Sequence, residues 1–425
     1  MLEKPKLFEN YREFGVIVFL FLLLFGLRLG WLYGEYREFV QKPFYFTKAT
    51  VLQEYRKTKG GKPYWIFRLY SESLDLTFMS RLYTSESSLM GREIRLKLFP
   101  SKKMDFWDYL RTPYIPAQIN RLYLDQEYLY QRVQSVIASE HKSELICNFY
   151  QAIFLATPPS KKLREGISRL GISHLVALSG LHLAILWGVL FGVLRWIYRV
   201  FQARYFPYRF DLRDVGFVVL ILLGGYVYGV GMPPSLLRSY MMMLLGWGVL
   251  MMGIELLSFE FLMVTLMVLL LLFPSLLFSL GFWFSFLGVF YIFLLLRYFD
   301  GLSKGWMMVL ISFGLFILMM PLVHLIFGRV TLLQLLSPWL SMVFTPFYPL
   351  SLGLHLMGLG GIVDEVLLKL FSLEAREYMV VIPWGWGVGY LMLSIGAIYS
   401  RWLFYLLLGV ALLTVVGMFI PLMLS

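Results

Sequence analysis

Ile172-Ser173-His174-Leu175-Val176-Ala177-Leu178-Ser179-Gly180-Leu181-His182-Leu183-Ala184-Ile185 sets His174, Ser179 and His182 at the head of an apolar run that continues to residue 197. That length is close to the roughly 20 residues a membrane-crossing helix requires. A charged side chain near a bilayer centre costs about 2.5 to 3.5 kcal/mol on insertion scales, so strongly polar groups there face protein or water. The stretch therefore predicts a membrane helix with a functional polar face. Ser179 and His182 are three apart and share one side of a helix. Gly180, Ala184, Gly188 and Gly192 recur every four residues, a small-residue stripe predicted to let a neighbouring helix approach closely. The plainer alternative for either histidine is a hydrogen bond to an adjacent helix.

Working outward, 59% hydrophobic residues with only 15% charged over 425 residues exclude an ordinary soluble enzyme and describe a polytopic α-helical membrane protein. Apolar runs at 14–34, 175–197, 215–230, 236–253, 256–273, 276–296, 306–327, 332–356, 382–399 and 402–424 predict about 9–11 spans. The single cysteine, Cys147, excludes an intrachain disulfide and a cysteine-based zinc cluster. His324, Arg329 and His355 are isolated and carry no assignment.

Residues 1–43 read as an uncleaved anchor, with Lys4, Lys6 and Arg12 holding the N-terminus in the cytoplasm. Residues 44–103 alternate in strand fashion between turn signals such as Lys59-Gly60-Gly61-Lys62, which predicts a small external β domain. Between residues 44 and 111 there are 13 Lys and Arg against 7 Asp and Glu, interleaved with aromatics. Basic groups attract phosphates and aromatic faces stack bases, so Lys57, Lys59, Lys62, Tyr64, Arg68 and Arg81 are candidate contacts for a nucleic acid strand. Residues 104–173 read as an interfacial connector with a helix over about 122–155. Residues 174–425 form the membrane domain. Five arginines from Arg195 to Arg213 assign the loop between them to the cytoplasm.

Gly224-Gly225-Tyr226-Val227-Tyr228-Gly229-Val230-Gly231-Met232-Pro233-Pro234-Ser235 holds four glycines and two prolines, which predicts interrupted helix at membrane depth. Arg238 follows one turn later in an apolar setting. There a cation faces a water-filled path or snorkels to the interface.

His174 to His182 resembles the signature of the ComEC family of competence proteins, close to His-Leu-Leu-Ala-Ile-Ser-Gly-Leu-His-Val, with departures only among Leu, Ile and Val. Ser235 to Arg238 is similar to the family's Pro-Pro-x-x-Arg-Ala pattern. Gly281-Phe282-Trp283-Phe284-Ser285-Phe286 is a weaker match, because Ser279, Leu280 and Trp283 stand where Asp, Pro and Gln are usual. The β domain is similar in size and position to the family's OB-fold domain. The resemblance implies a cytoplasmic-membrane channel passing one DNA strand inward during natural transformation, with His174, Ser179, Gly180, His182, Pro233, Pro234, Ser235, Arg238 and Ser285 along its path. It implies as partners single-stranded DNA, the lipid bilayer, a periplasmic DNA receptor, a cytoplasmic motor or strand-binding proteins, with self-association open.

Many members add a metallo-β-lactamase-like domain. This chain ends within an apolar run at Ser425, and its five histidines show no His-x-His-x-Asp-His set. A short form is therefore expected, with no enzymatic activity, no cofactor and no catalytic metal. Two alternatives stand beside the channel. Ala177-Leu178-Ser179-Gly180 is faintly similar to the serine motif of rhomboid proteases, which would make a membrane-embedded serine hydrolase. A small-molecule transporter sharing the fold is the other.

Overall fold

The computed structural model describes residues 10–59, 62–82, 89, 92–101, 103–122, 129–205, 207–230, 232–251 and 258–424. The chain opens with helix α1 (Tyr11–Gln41). A β region follows: β1 (Tyr45–Lys59), β2 (Lys62–Ser71), β3 (Leu76–Leu82), β4 (Glu93–Leu98), the short α2 (Phe106–Arg111) and β5 (Ala117–Leu122). Next come α3 (Leu129–Glu140), α4 (Glu144–Leu155), α5 (Lys161–Arg169) and the single turn α6 (Ser173–Val176). The long helices are α7 (Gly180–Tyr205), α8 (Asp211–Gly229), α9 (Pro234–Met251), α10 (Phe259–Leu272), α11 (Leu280–Tyr298) and α12 (Lys304–Phe327). The C-terminal part holds β6 (Arg329–Thr331), α13 (Ser337–Leu356), α14 (Asp364–Phe371), β7 (Glu377–Met379), α15 (Trp384–Gly396) and α16 (Arg401–Leu424).

The β region is a five-stranded antiparallel sheet in the order β3-β2-β1-β4-β5. It curls until its edges meet, where Met79 donates its N–H to the Pro113 carbonyl at 2.8 Å and accepts from Ile115 at 2.9 Å. Strict alternation drives the curl's interior: Leu76, Phe78, Ser80 and Leu82 all point inward along β3. Phe67, Leu69, Ile94, Leu96 and Leu98 complete that core, and Phe39 from the end of α1 is buried in it. The fifth strand comes from a stretch read above as connector. The predicted helix over 122–155 is also two helices, broken at residues 141–143.

Among the described residues, six helices are long and apolar enough to cross a membrane: Arg12–Gln41, Gly180–Tyr205, Asp211–Gly229, Leu280–Tyr298, Lys304–Phe327 and Arg401–Leu422. Every predicted run contains a helix; the described lengths of α9, α10 and α15 are 18, 14 and 13 residues, and α13 carries Pro346 and Pro349 inside it. One core joins α4, α5, α6, the head of α7, α8, α13 and α14. A second joins α11, α12, α15 and α16, where Tyr298 stacks on Phe404 at 4.5 Å and the Tyr390 hydroxyl donates to the Leu318 carbonyl at 2.9 Å.

The predicted break over 224–235 is narrower than expected. α8 stays helical through Gly229, and at Gly224 the Tyr240 hydroxyl of α9 packs against it, 2.6 Å from where a Cβ would stand. Irregular backbone is confined to the link after it, where Met232 adopts φ 49°, a left-handed conformation unusual for a residue with a Cβ. Gly231 lies outside the described residues.

Candidate functional site

The two sequence motifs meet at the heads of α7 and α9. Ser235 donates its hydroxyl to the Leu178 carbonyl at 2.8 Å, which ties α9 to the turn before α7. Gly180, the first residue of α7, leaves room for Ser239: a Cβ there would lie 3.1 Å from the Ser239 hydroxyl oxygen. Pro233 is buried at this junction, and Pro234 starts α9 with its side chain outside the described residues.

Ser179 and His182 share a face, as their spacing predicts. The contact is a helix cap: His182 Nδ1 accepts the Ser179 backbone N–H at 3.1 Å, with the Ser179 hydroxyl 3.3 Å away. A side chain three residues into a helix that reaches back to the cap residue's N–H satisfies a donor the helix itself cannot. The imidazole is fully buried between Phe344 and Tyr348 of α13, with ring centroids 5.2 and 4.7 Å away. His174 is separate from this pair. It is exposed on α6, where its Nε2 lies 3.4 Å from the Ser341 hydroxyl.

Arg238 sits one turn into α9 and is 6% exposed. Its guanidinium lies over the Phe282 ring of α11 at 5.5 Å. Its Nε has no hydrogen-bond partner among the described residues, and no carboxylate there pairs with it. A cation in such a setting is costly unless something anionic visits it or water reaches it. Ser285 is half-buried on α11, three residues beyond Phe282. The weaker third motif therefore contributes an aromatic face to the arginine.

The predicted small-residue stripe is only partly used. Gly180 makes the close approach, whereas Ala184, Gly188 and Gly192 are exposed, and Gly188 and Gly192 have nothing within 4 Å of a built Cβ. Helix contact here comes instead from Gly216 and Gly224 of α8, which receive Trp247 and Tyr240 of α9. At the far end of α7, Arg195 and Arg199 bind Asp211 at 2.6 and 3.0 Å, and Arg209 binds Asp214 at 2.7 Å.

In the β domain the side chains of Lys57, Lys59 and Lys62 lie outside the described residues. Tyr64 carries the Arg81 guanidinium over its ring at 4.5 Å. Arg68 is half-buried with Nε unpartnered, and burial lowers its pKa from the ordinary arginine value. Among the described residues a different basic and aromatic face is exposed. Lys97 of β4 lies 4.3, 5.6 and 5.3 Å from the rings of Phe44, Phe46 and Phe99, with Phe44 and Phe46 43% and 55% exposed. The alternation Phe44-x-Phe46 at the head of a strand was the available signal for it.

A sheet-bearing chain with several membrane-length helices and two polar motifs packed at the heads of its inner helices is a polytopic membrane protein with an internal polar junction. Residues 159–423 match the family described as competence protein, and the chain belongs to that family. An uncharacterised protein of Mycoplasma pneumoniae, described as the MG316 homolog, is 29% identical over 229 residues, 54% of this chain and 52% of that protein. The chain thus spans about half the length of that curated relative. No solved structure matches it.

Proposed function

We propose that this chain is a conduit, without catalysis of its own, that passes single-stranded DNA into the cytoplasm across the bacterial cytoplasmic membrane during transformation. The carrying observation is Arg238: a buried cation with no acidic partner among the described residues, over an aromatic ring, at the junction of the two motifs. A strand of repeating phosphates supplies the missing counter-charge transiently, and one such contact among weaker ones suits conduction better than a deep site. With the N-terminus cytoplasmic, α7 runs inward from its capped head to its arginine-rich end, so Arg238 stands toward the external side.

The curled sheet, with its edges bridged in parallel at Met79 and Tyr114, supports an OB-like reading of the external domain. Its Phe44, Phe46, Lys97 and Phe99 face offers stacking surface and charge to an incoming strand. A membrane-embedded serine hydrolase has less support. The imidazole nitrogen facing the Ser179 hydroxyl already accepts a backbone N–H, which leaves it poorly available as a base.

The test is cytoplasmic arrival of fluorescent DNA in cells carrying Arg238→Met or Arg238→Lys, with membrane abundance measured for each. Loss in the methionine variant at normal abundance, with partial retention in the lysine variant, supports the reading. Full import by Arg238→Met sinks it.

A further inference from the structure

The break between α3 and α4 carries His141 into a buried polar chain that the conduit reading does not use. His141 Nδ1 lies 3.0 Å from each carboxylate oxygen of Asp364 at the start of α14. Its Nε2 lies 3.0 Å from Nε2 of His355, near the end of α13. His355 Nδ1 in turn stands 2.6 Å from the Ser351 carbonyl. Tyr150 of α4 stacks on His141 at 4.6 Å with the rings 7° from parallel, and Phe154 closes on His355 at 5.1 Å. The chain thus runs through three elements and is walled by a fourth.

Counting hydrogens fixes how these contacts are made. A carbonyl only accepts, so His355 holds its proton on Nδ1, and as a neutral imidazole it leaves Nε2 as an acceptor. His141 must therefore donate from Nε2. The remaining contact, His141 Nδ1 with Asp364, requires one more hydrogen, on the imidazole facing a carboxylate or on the carboxyl facing a bare nitrogen. Filling the chain takes one proton beyond two neutral imidazoles and an ionised acid. Without it, two lone pairs face each other inside a packed core, where an unpaired polar contact costs about 1 to 3 kcal/mol.

The titratable groups packed around His141 are Glu140 of α3, Tyr150 of α4, His355 of α13 and Asp364 of α14. Glu140 is held by the Gly360 N–H at 2.7 Å, and a Cβ at Gly360 would run into Glu140 and stand 2.7 Å from His355 Nε2. Among the described residues no three His, Cys, Asp or Glu side chains are grouped to hold a metal ion, so the facing nitrogens are read as a hydrogen bond.

We infer that Asp364, His141 and His355 form a one-proton latch that fastens the α3–α4 corner to α13 and α14 and lets go when that proton leaves. The closed latch binds one proton more than the open one once the open corner has lost its own, so closure is favoured at low pH and lost as pH rises. Each pH unit over which only the closed form keeps the proton favours opening about tenfold.

Hydrogen exchange on the full chain in lipid nanodiscs from pH 6 to 9, corrected for intrinsic exchange, tests this. Protection over residues 132–140 should fall as pH rises, by up to about tenfold per pH unit, while residues 304–327 of α12 keep theirs. His141→Gln should flatten the dependence. Wild-type protection that does not change with pH overturns the latch, even if the variant fails to fold. So does loosening by a chelator at constant pH, which would assign the facing nitrogens to a metal.

Discussion

Gly180 and Ser239 approach so closely that the head of α7 rests directly on the head of α9, a Cβ at 180 falling 3.1 Å from the serine oxygen. The Ser239 hydroxyl donates to the Ser235 carbonyl at 2.9 Å and can shift by a few tenths of an ångström. Gly180→Ala should therefore cost under about 1 kcal/mol. Gly180→Leu should cost about 1 to 3 kcal/mol by overpacking and loosen the Ser235 bond to Leu178. Thermal unfolding of the purified variants in detergent reads the difference, and equal midpoints for the two would refute the close approach.

His182 is predicted to act first as a cap. His182→Gln keeps an acceptor within reach of the Ser179 N–H and should retain most of the stability. His182→Leu leaves that donor unmet, at about 1 kcal/mol or more. A DNA import defect in the leucine variant that tracks its loss of abundance, with import normal in the glutamine variant, would assign His182 to structure alone.

Gly224 and Tyr240 make a second test of helix contact. A Cβ at 224 falls 2.6 Å from the Tyr240 hydroxyl, which donates to the Leu220 carbonyl at 3.0 Å. Gly224→Ala should destabilise by about 1 to 3 kcal/mol, and Tyr240→Phe should recover part of that loss by removing the obstructing oxygen. Additive effects in the double variant would argue against contact, since touching residues are non-additive.

The exposed face of the β domain should bind single strands with a salt dependence. Phe46→Ala should weaken binding by about 1 to 3 kcal/mol if a base stacks there. Lys97→Ala should lower the slope of log affinity against log salt by about one phosphate contact. Fluorescence anisotropy of the whole protein with a labelled oligonucleotide reads both, and unchanged isotherms would move strand contact elsewhere.

Much of this architecture is legible because membrane helices announce themselves in one dimension: α1, α12 and α16 are continuous apolar runs, and β3 alternates without exception. Helices α10 and α15 were legible as helices but not in their lengths, since apolar composition is the same whether the neighbour is lipid or protein. The turn at residues 141–143 was missed because its flanks are both helical in pattern.

The sequence by itself determined the membrane class, the basic β domain and the motifs around His182 and Arg238, because each depends on the chemistry of a short contiguous stretch. Only the tertiary structure decided that Arg238 lies over Phe282 and that His182 caps its own helix against Tyr348. It alone joined His141 to His355 and Asp364, 214 and 223 residues further along. Local pattern sets which side chains seek burial, but partners that distant are chosen by how helices pack.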